Sequence, residues 1–239
     1  MESAVRITIA IATFNCINHF EQCIESIIHQ KYPNFEIIIV DGQSTDGTTE
    51  IIKEYVEIYN YISFVSEPDK GVYDAMNKAL CMATGDYLIF LGSDDHFVAN
   101  DVLERVSYYL KNNDTIYYGN VLRSISEDIY CQKFNRFKLA VKNICHQSIF
   151  YPRSVYKAFQ YSIRYKLFAD YVYNLHLWNK YTYEYIPLVI TYFSQTGISS
   201  TNIDEEFKKD YAVLRKKKLG FLPYWYSAIY HFIRNMIVK

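Results

Sequence analysis

The sequence has five cysteines, Cys16, Cys23, Cys81, Cys131 and Cys145, and no two are spaced as C-x-x-C. An odd count without that spacing argues against a zinc site or a disulfide framework and suits a reducing cytosol. No G-x-G-x-x-G follows the first apolar strand pattern, and G-x-x-x-x-G-K-[ST] is absent. A dinucleotide-binding dehydrogenase and a P-loop ATPase are thereby disfavoured. A nucleotide bound here must be held by side chains and a metal rather than by a glycine loop. The chain also lacks charge of one sign. Its 25 Lys and Arg balance 26 Asp and Glu for a formal net charge of −1, so no nucleic-acid partner is expected. The opening Met-Glu-Ser-Ala-Val-Arg carries an acid and no apolar stretch, so no secretory signal is expected. Internal repeats and low-complexity linkers are missing.

The 239 residues are half hydrophobic and 21% charged, a globular composition sized for one domain, or one domain with an extension. Aromatic residues reach 18%, with 25 Tyr and 15 Phe. Such a surplus serves ligand stacking, interfacial anchoring or nothing beyond composition. The first half alternates strand and helix patterns. Val5, Ile7, Ile9 and Ile11 alternate with Arg6, Thr8 and Ala10, as a strand does. Phe20, Cys23, Ile24, Ile27 and Ile28 recur at helical spacing. Phe35 to Val40, apolar but for Glu36, and Tyr87 to Leu91 are apolar runs, the signature of parallel strands buried on both faces. A strand at 61–65 and helices around 51–56 and 72–83 complete the alternation. In the second half, 115–121, 129–133 and 183–193 read as strands and 168–178 as a helix. The pattern predicts an α/β fold with a mostly parallel, Rossmann-like sheet and flanking helices. A boundary near residue 200 would separate a catalytic domain (1–200) from a helical extension (201–239).

Ligands of such sheets sit outside the carboxyl ends of the strands. Polar residues gather there: Thr13 and Asn15 after the first strand, Asp41 after the second, Glu67 to Lys70 after the third, and Asp94 and Asp95 after the fourth. Two adjacent carboxylates at a strand end repel one another without a cation. Hard oxygen ligands suit Mg²⁺ or Mn²⁺ shared with substrate phosphates. The plainer alternative is that Asp94 and Asp95 cap the helix containing Val102 and Leu103. Asp41 either accepts the imide N–H of a pyrimidine base or caps the turn that follows it. Asp170 is either a general base for an acceptor hydroxyl or an acid complementing the helix dipole. His146 either touches diphosphate, metal or acceptor, or is a satisfied structural histidine.

Taken in order, Ile-Ala-Thr-Phe-Asn (11–15), Ile-Val-Asp-Gly-Gln-Ser-Thr-Asp-Gly-Thr (39–48), and Ser-Glu-Pro-Asp-Lys-Gly-Val-Tyr-Asp-Ala-Met-Asn-Lys-Ala (66–79) resemble the family 2 glycosyltransferases. So do Ala-Thr-Gly-Asp-Tyr-Leu-Ile-Phe-Leu-Gly-Ser-Asp-Asp (83–95), His-Gln-Ser-Ile-Phe (146–150) and Ala-Asp-Tyr (169–171). The resemblance spans about residues 5–200. It implies a GT-A fold and an inverting transfer. By position it places Thr13 and Asp41 on the nucleotide base, Asp94 near the ribose and metal, and Asp95 as the main metal ligand. Lys70 would line the donor pocket near the diphosphate, and Asp170 would be the catalytic base. Many relatives carry an acid or Asn where this chain has Gly92.

The resemblance lies nearest to transferases of bacterial surface polysaccharides. It implies a UDP-sugar donor, a glycan or polyprenyl-linked acceptor, and a Mn²⁺ or Mg²⁺ cofactor. It also implies a place at the inner face of the cytoplasmic membrane. The C-terminus agrees physically. Between Leu219 and Ile233 no Asp, Glu, Lys or Arg occurs, six aromatics accumulate, and a basic segment precedes them. That run falls short of the about 20 apolar residues a span needs, so it reads as an interfacial helix, or as a contact within the domain or a homo-oligomer. Two alternatives are a sugar-nucleotide nucleotidyltransferase, which would want a Gly- and basic-rich first loop, and a non-catalytic GT-A-like assembly subunit.

Overall fold

In the computed structural model, which describes residues 4–195 and 203–237, the alternating and apolar runs form a parallel sheet. Its strands are β1 (Ile7–Thr13), β2 (Phe35–Asp41), β3 (Ile62–Ser66) and β4 (Tyr87–Gly92), in the order β3-β2-β1-β4. Helices α1 (Ile17–Ile28), α2 (Thr48–Ile58) and α3 (Val72–Met82) connect them. The period-2 pattern divides the core between two faces. Ile7, Ile9, Ile11, Ile37 and Ile39 point to one side with Phe20, Ile24 and Ile27 of α1. Ala10, Ile38, Val40, Leu88 and Phe90 point to the other, against Met76, Ala79 and Leu80 of α3. Each fully buried Ile or Phe contributes about 1.5–3 kcal/mol, so a one-residue register slip is strongly penalised. The strand order reverses between β1 and β4, which makes their carboxyl ends the crevice where ligands of such sheets bind.

The second half extends the sheet in mixed directions. It comprises β5 (His96–Phe97), α4 (Val102–Ser107), β6 (Thr115–Arg123), β7 (Ile129–Tyr130) and α5 (Arg136–Leu139). A 3₁₀ turn (His146–Ser148), β8 (Ile149–Pro152), α6 (Arg153–Tyr156), α7 (Ala169–Leu177) and β9 (Thr182–Phe193) follow. Strand β8 inserts antiparallel between β4 and β6, and β9 runs parallel to β6. The strand expected over 129–133 stops at Tyr130, because Cys131 (φ 92°) and Gln132 (φ 50°) turn left-handed, which a strand cannot accommodate. The capping alternative for Asp94 and Asp95 does not hold: α4 starts at Val102, with Asp101 at its N-cap position. Helices α8 (Glu205–Leu219) and α9 (Phe221–Ile237) pack beyond α7. The expected boundary near residue 200 lies outside the described residues.

Much of the aromatic surplus is core. Tyr87, Tyr118, Tyr151 and Tyr156 are among the largest fully buried side chains. Buried Asn174 accepts from the Tyr151 and Tyr183 hydroxyls at 3.1 and 3.2 Å.

At the end of the sheet away from the crevice, Glu36 ties three strands together. Its carboxylate accepts from Thr8 Oγ1 (2.6 Å), Thr84 N (2.7 Å), Thr84 Oγ1 (2.6 Å) and the Arg6 guanidinium (2.9 Å). Burial pushes the acid up, but these donors outweigh it and hold its pKa below the ordinary value. We expect Glu36→Ala to cost about 1–3 kcal/mol in urea unfolding, because it strands buried donors. A depressed carboxyl stabilises above its unfolded pKa and ceases to do so as pH falls through its folded value. The deficit of the variant should therefore shrink in acid.

Candidate active site

The end of β2 carries Asp41, fully buried. One oxygen accepts from Thr13 Oγ1 (3.1 Å) and Ser44 Oγ (2.5 Å); the other accepts from Ser44 N (2.9 Å) and Ser66 Oγ (2.7 Å). Burial raises this acid, but the Ser44, Ser66 and Thr13 donors prevail and hold the pKa down, so it is an anion. Asp41 therefore caps its turn, as one reading expected, and sits beneath the rim that Thr13, Ser44 and Ser66 form. Rotation of one hydroxyl would free a lone pair for a base imide. Exposed Asn15 adopts a left-handed φ of 47° and accepts from Thr45 N at 2.8 Å, while its own N–H donates to Ser44 Oγ at 2.8 Å. Its side chain links two loops at the rim.

The two carboxylates after β4 differ sharply. Asp95 is 1% exposed and accepts from Gly92 N (3.1 Å), Gln147 Nε2 (2.9 Å) and Ser194 N (2.8 Å). Burial, and then the charge of Asp94, push its pKa up to about 6 against those donors. Asp94 is half-buried, and no donor among the described residues meets its carboxylate. Positive charge placed here would offset the strain on both. A Cβ at position 92 would lie 2.6 Å from an Asp95 oxygen and 2.9 Å from an Asp94 oxygen. The absence of a side chain at Gly92 is what lets both carboxylates fold over the strand end. Among the described residues no three His, Cys, Asp or Glu side chains converge as a ready-made cage. One or two carboxylates completed by substrate phosphates and water is the donor set that Mg²⁺ and, by the same hard-oxygen chemistry, Mn²⁺ accept.

Asp170 opens α7, where an acid also suits the helix dipole. Its Oδ1 accepts from Tyr171 N (2.8 Å) and lies 3.0 Å from the Tyr73 hydroxyl. Its Oδ2 accepts from Asn143 Nδ2 (2.8 Å) and lies 3.3 Å from His146 Nδ1. The phenol of Tyr73 is pushed well up by burial and then by Asp170, so it stays a neutral donor. The arrangement fixes the orientation of one carboxylate beside an imidazole.

The 3₁₀ turn joins the two halves of the site. His146 meets Asp170, and the next residue, Gln147, grips Asp95. Sequence reasoning singled out His146 but missed Gln147, Asn143, Tyr73 and Ser66. For Gln147, Tyr73 and Ser66 the signal was their place inside the quoted blocks 146–150 and 66–79; for Asn143 there was none beyond proximity to a quoted block. Lys70 lies exposed at the start of α3 without an ion pair among the described residues, free to meet an anion.

A crevice at the β1/β4 reversal, an acidic strand end and a further anchored carboxylate, Asp170, fit a glycosyltransferase of the GT-A fold. The chain belongs to glycosyl transferase family 2, whose family model matches residues 8–176. It is 33% identical over 215 residues to a PGL/p-HBAD biosynthesis glycosyltransferase of Mycobacterium bovis, covering 87% of this chain and 84% of that one. In fold it is similar to S. aureus TarS 1–349 in complex with UDP-GlcNAc, with a TM-score of 0.73 and 16% identity over 87% of this chain and 66% of that one. A mannosyltransferase of Pyrobaculum calidifontis in complex with GDP-Man and Mn²⁺ gives 0.66, at 18% identity over 95% of this chain and 65% of that one. The chain thus spans about two thirds of these solved chains.

Proposed function

We infer that the protein moves a sugar from a nucleoside-diphosphate donor, a UDP-sugar, to a hydroxyl of a glycan or polyprenyl-linked glycan, with inversion. The setting would be capsule, exopolysaccharide or O-antigen synthesis, with the protein peripheral at the inner face of the cytoplasmic membrane. The observation that carries this is the Asp170 carboxylate, held on four sides and tied through His146–Gln147 to the acidic end of β4. The base end of the donor rests on Thr13, Asn15 and the Asp41 rim. The diphosphate lies toward Asp94 and Lys70. Mn²⁺ or Mg²⁺, when bound, neutralises the leaving diphosphate. The two aspartates divide the work in a way their partners favour: Asp94 offers the free carboxylate to the cation, and Asp95, occupied by three N–H donors, holds the loop.

The acceptor O–H gives its proton to Asp170 as its oxygen bonds to the anomeric carbon. The bond from that carbon to the diphosphate breaks on the opposite face, and its electron pair leaves with the nucleoside diphosphate. A neighbouring His146 steadies the carboxyl as it gains the proton. Residues 1–200 would form the catalytic domain and 201–239 an extension for a membrane or a second copy.

The test is a panel of UDP-, GDP- and dTDP-sugars scored for donor hydrolysis and binding, with and without Mn²⁺. Metal-dependent release of UDP from one donor is the expected result. A folded protein that binds none of them would overturn the transferase reading.

A further inference from the structure

Helix α9 is built inside out. Its inward face is small and polar: Ser227 is fully buried, and its hydroxyl accepts from the Arg215 guanidinium of α8. His231 packs edge-on to Tyr211 at 6.0 Å. Its outward face is apolar: Leu222, Trp225, Tyr226, Ile229, Phe232 and Ile233 are 44–70% exposed. At 3.6 residues per turn these six fall within an arc of about 120°. A helix packed for its own domain buries that stripe. No helix among the described residues is long and apolar enough to cross a membrane.

The charge around this face is one-sided, in a chain whose net charge is −1. Helix α5 packs against α9, with Phe137 edge-on to Tyr226 at 5.5 Å. Residues 129–146, which contain α5, hold Lys133, Arg136, Lys138 and Lys142 and no acid. Residues 211–237 hold Arg215, Lys216, Lys217, Lys218 and Arg234 and no acid. Arg215 turns inward to Ser227, and among the described residues none of the other eight forms an ion pair with a carboxylate.

We propose that α9 and α5 together form a docking face for an anionic lipid bilayer, with α9 lying in the plane of the interface. Apolar and aromatic side chains enter the acyl boundary while the flanking cations meet lipid phosphates. The face is wired to the acceptor side of the site. Tyr211 of α8 donates to Ala140 O at 3.1 Å, just after α5, and the chain then runs directly to Asn143 and His146, both on Asp170. For its consequence this inference rests on the transferase reading: the acceptor it favours is one anchored in that bilayer, delivered beside Asp170. The docking itself does not depend on that reading.

Trp225 supplies a native probe, since the other indole, Trp178, is half-buried against Tyr183 at 4.6 Å. Full-length protein is mixed with vesicles of phosphatidylcholine alone or with phosphatidylglycerol added. Expected are co-flotation with the anionic vesicles, a blue shift of tryptophan emission and its quenching by brominated lipid. Trp225→Ser combined with Phe232→Ser should abolish flotation and leave donor hydrolysis in solution intact. Lys216→Glu with Lys217→Glu should weaken binding about tenfold or more. Wild-type protein that binds neither vesicle overturns the proposal, and a stable dimer under those conditions would assign the face to a second copy instead. Donor hydrolysis, read separately without lipid, reports on the transferase reading alone.

Discussion

Asp170→Asn should lower the rate of sugar transfer by about 10²- to 10⁴-fold, the span a positioned general base contributes. Donor affinity should hold, since no step of donor binding uses this side chain. The fold should hold as well. The amide oxygen still accepts from Tyr171 N and faces Tyr73, while the new NH₂ replaces an acceptor only toward Asn143 and His146. Single-turnover transfer with a fixed donor, beside a thermal melt, separates these quantities. A variant that transfers normally would return Asp170 to a purely helix-stabilising role at the start of α7.

Asp94→Ala and Asp95→Ala should fail in different ways. Metal stabilisation of a leaving diphosphate is worth several kcal/mol, so removing its ligand should cost about 10³-fold in transfer. For Asp94→Ala we expect that loss together with weakened Mn²⁺ binding in the presence of UDP and an unchanged melting temperature. For Asp95→Ala the deficit should be one of stability. The Gly92 and Gln147 donors lose their shared acceptor in a buried setting, at about 1–3 kcal/mol for each group left unsatisfied. Calorimetric Mn²⁺ titration and thermal melts on both variants decide the assignment. Equal melting temperatures with Mn²⁺ binding lost only in Asp95→Ala would restore Asp95 as the ligand.

The parallel half of the sheet was legible because its signals are local. Alternation in β1 and the apolar runs of β2 and β4 each lie within seven residues, and the strand ends carry Thr13, Asp41 and Asp94–Asp95 in order. Pairing across long separations was not legible. Nothing in Ile149–Pro152 announces a strand that slots between β4 and β6, yet that placement brings Gln147 to Asp95 across 52 residues. The difference between Asp94 and Asp95 was hidden for the same reason. Adjacent identical residues look alike until one finds buried donors and the other does not. Asp41 showed the converse: its position was plain, but five donors on four residues, from the ends of β1 and β3, the turn after β2 and the start of α2, decide that it lies under the rim. Residues of the candidate site reached through blocks of sequence, such as Asp170 and His146, do come together, 3.3 Å apart.

The loops after β1 and β2 are stitched to each other in four places. Asn15 N donates to Ser44 Oγ (2.8 Å), Thr45 N to Asn15 Oδ1 (2.8 Å), Cys16 N to Thr48 Oγ1 (3.0 Å) and Ile17 N to Asp46 Oδ2 (3.0 Å). Two loops so joined lose their conformational entropy when the chain folds, not when a ligand arrives. The nucleoside end of the crevice is therefore rigid in advance, and a ligand entering it forfeits little binding free energy to ordering the protein. Discrimination at that end becomes a matter of steric fit to a fixed mould, which a ligand of the wrong outline cannot reshape.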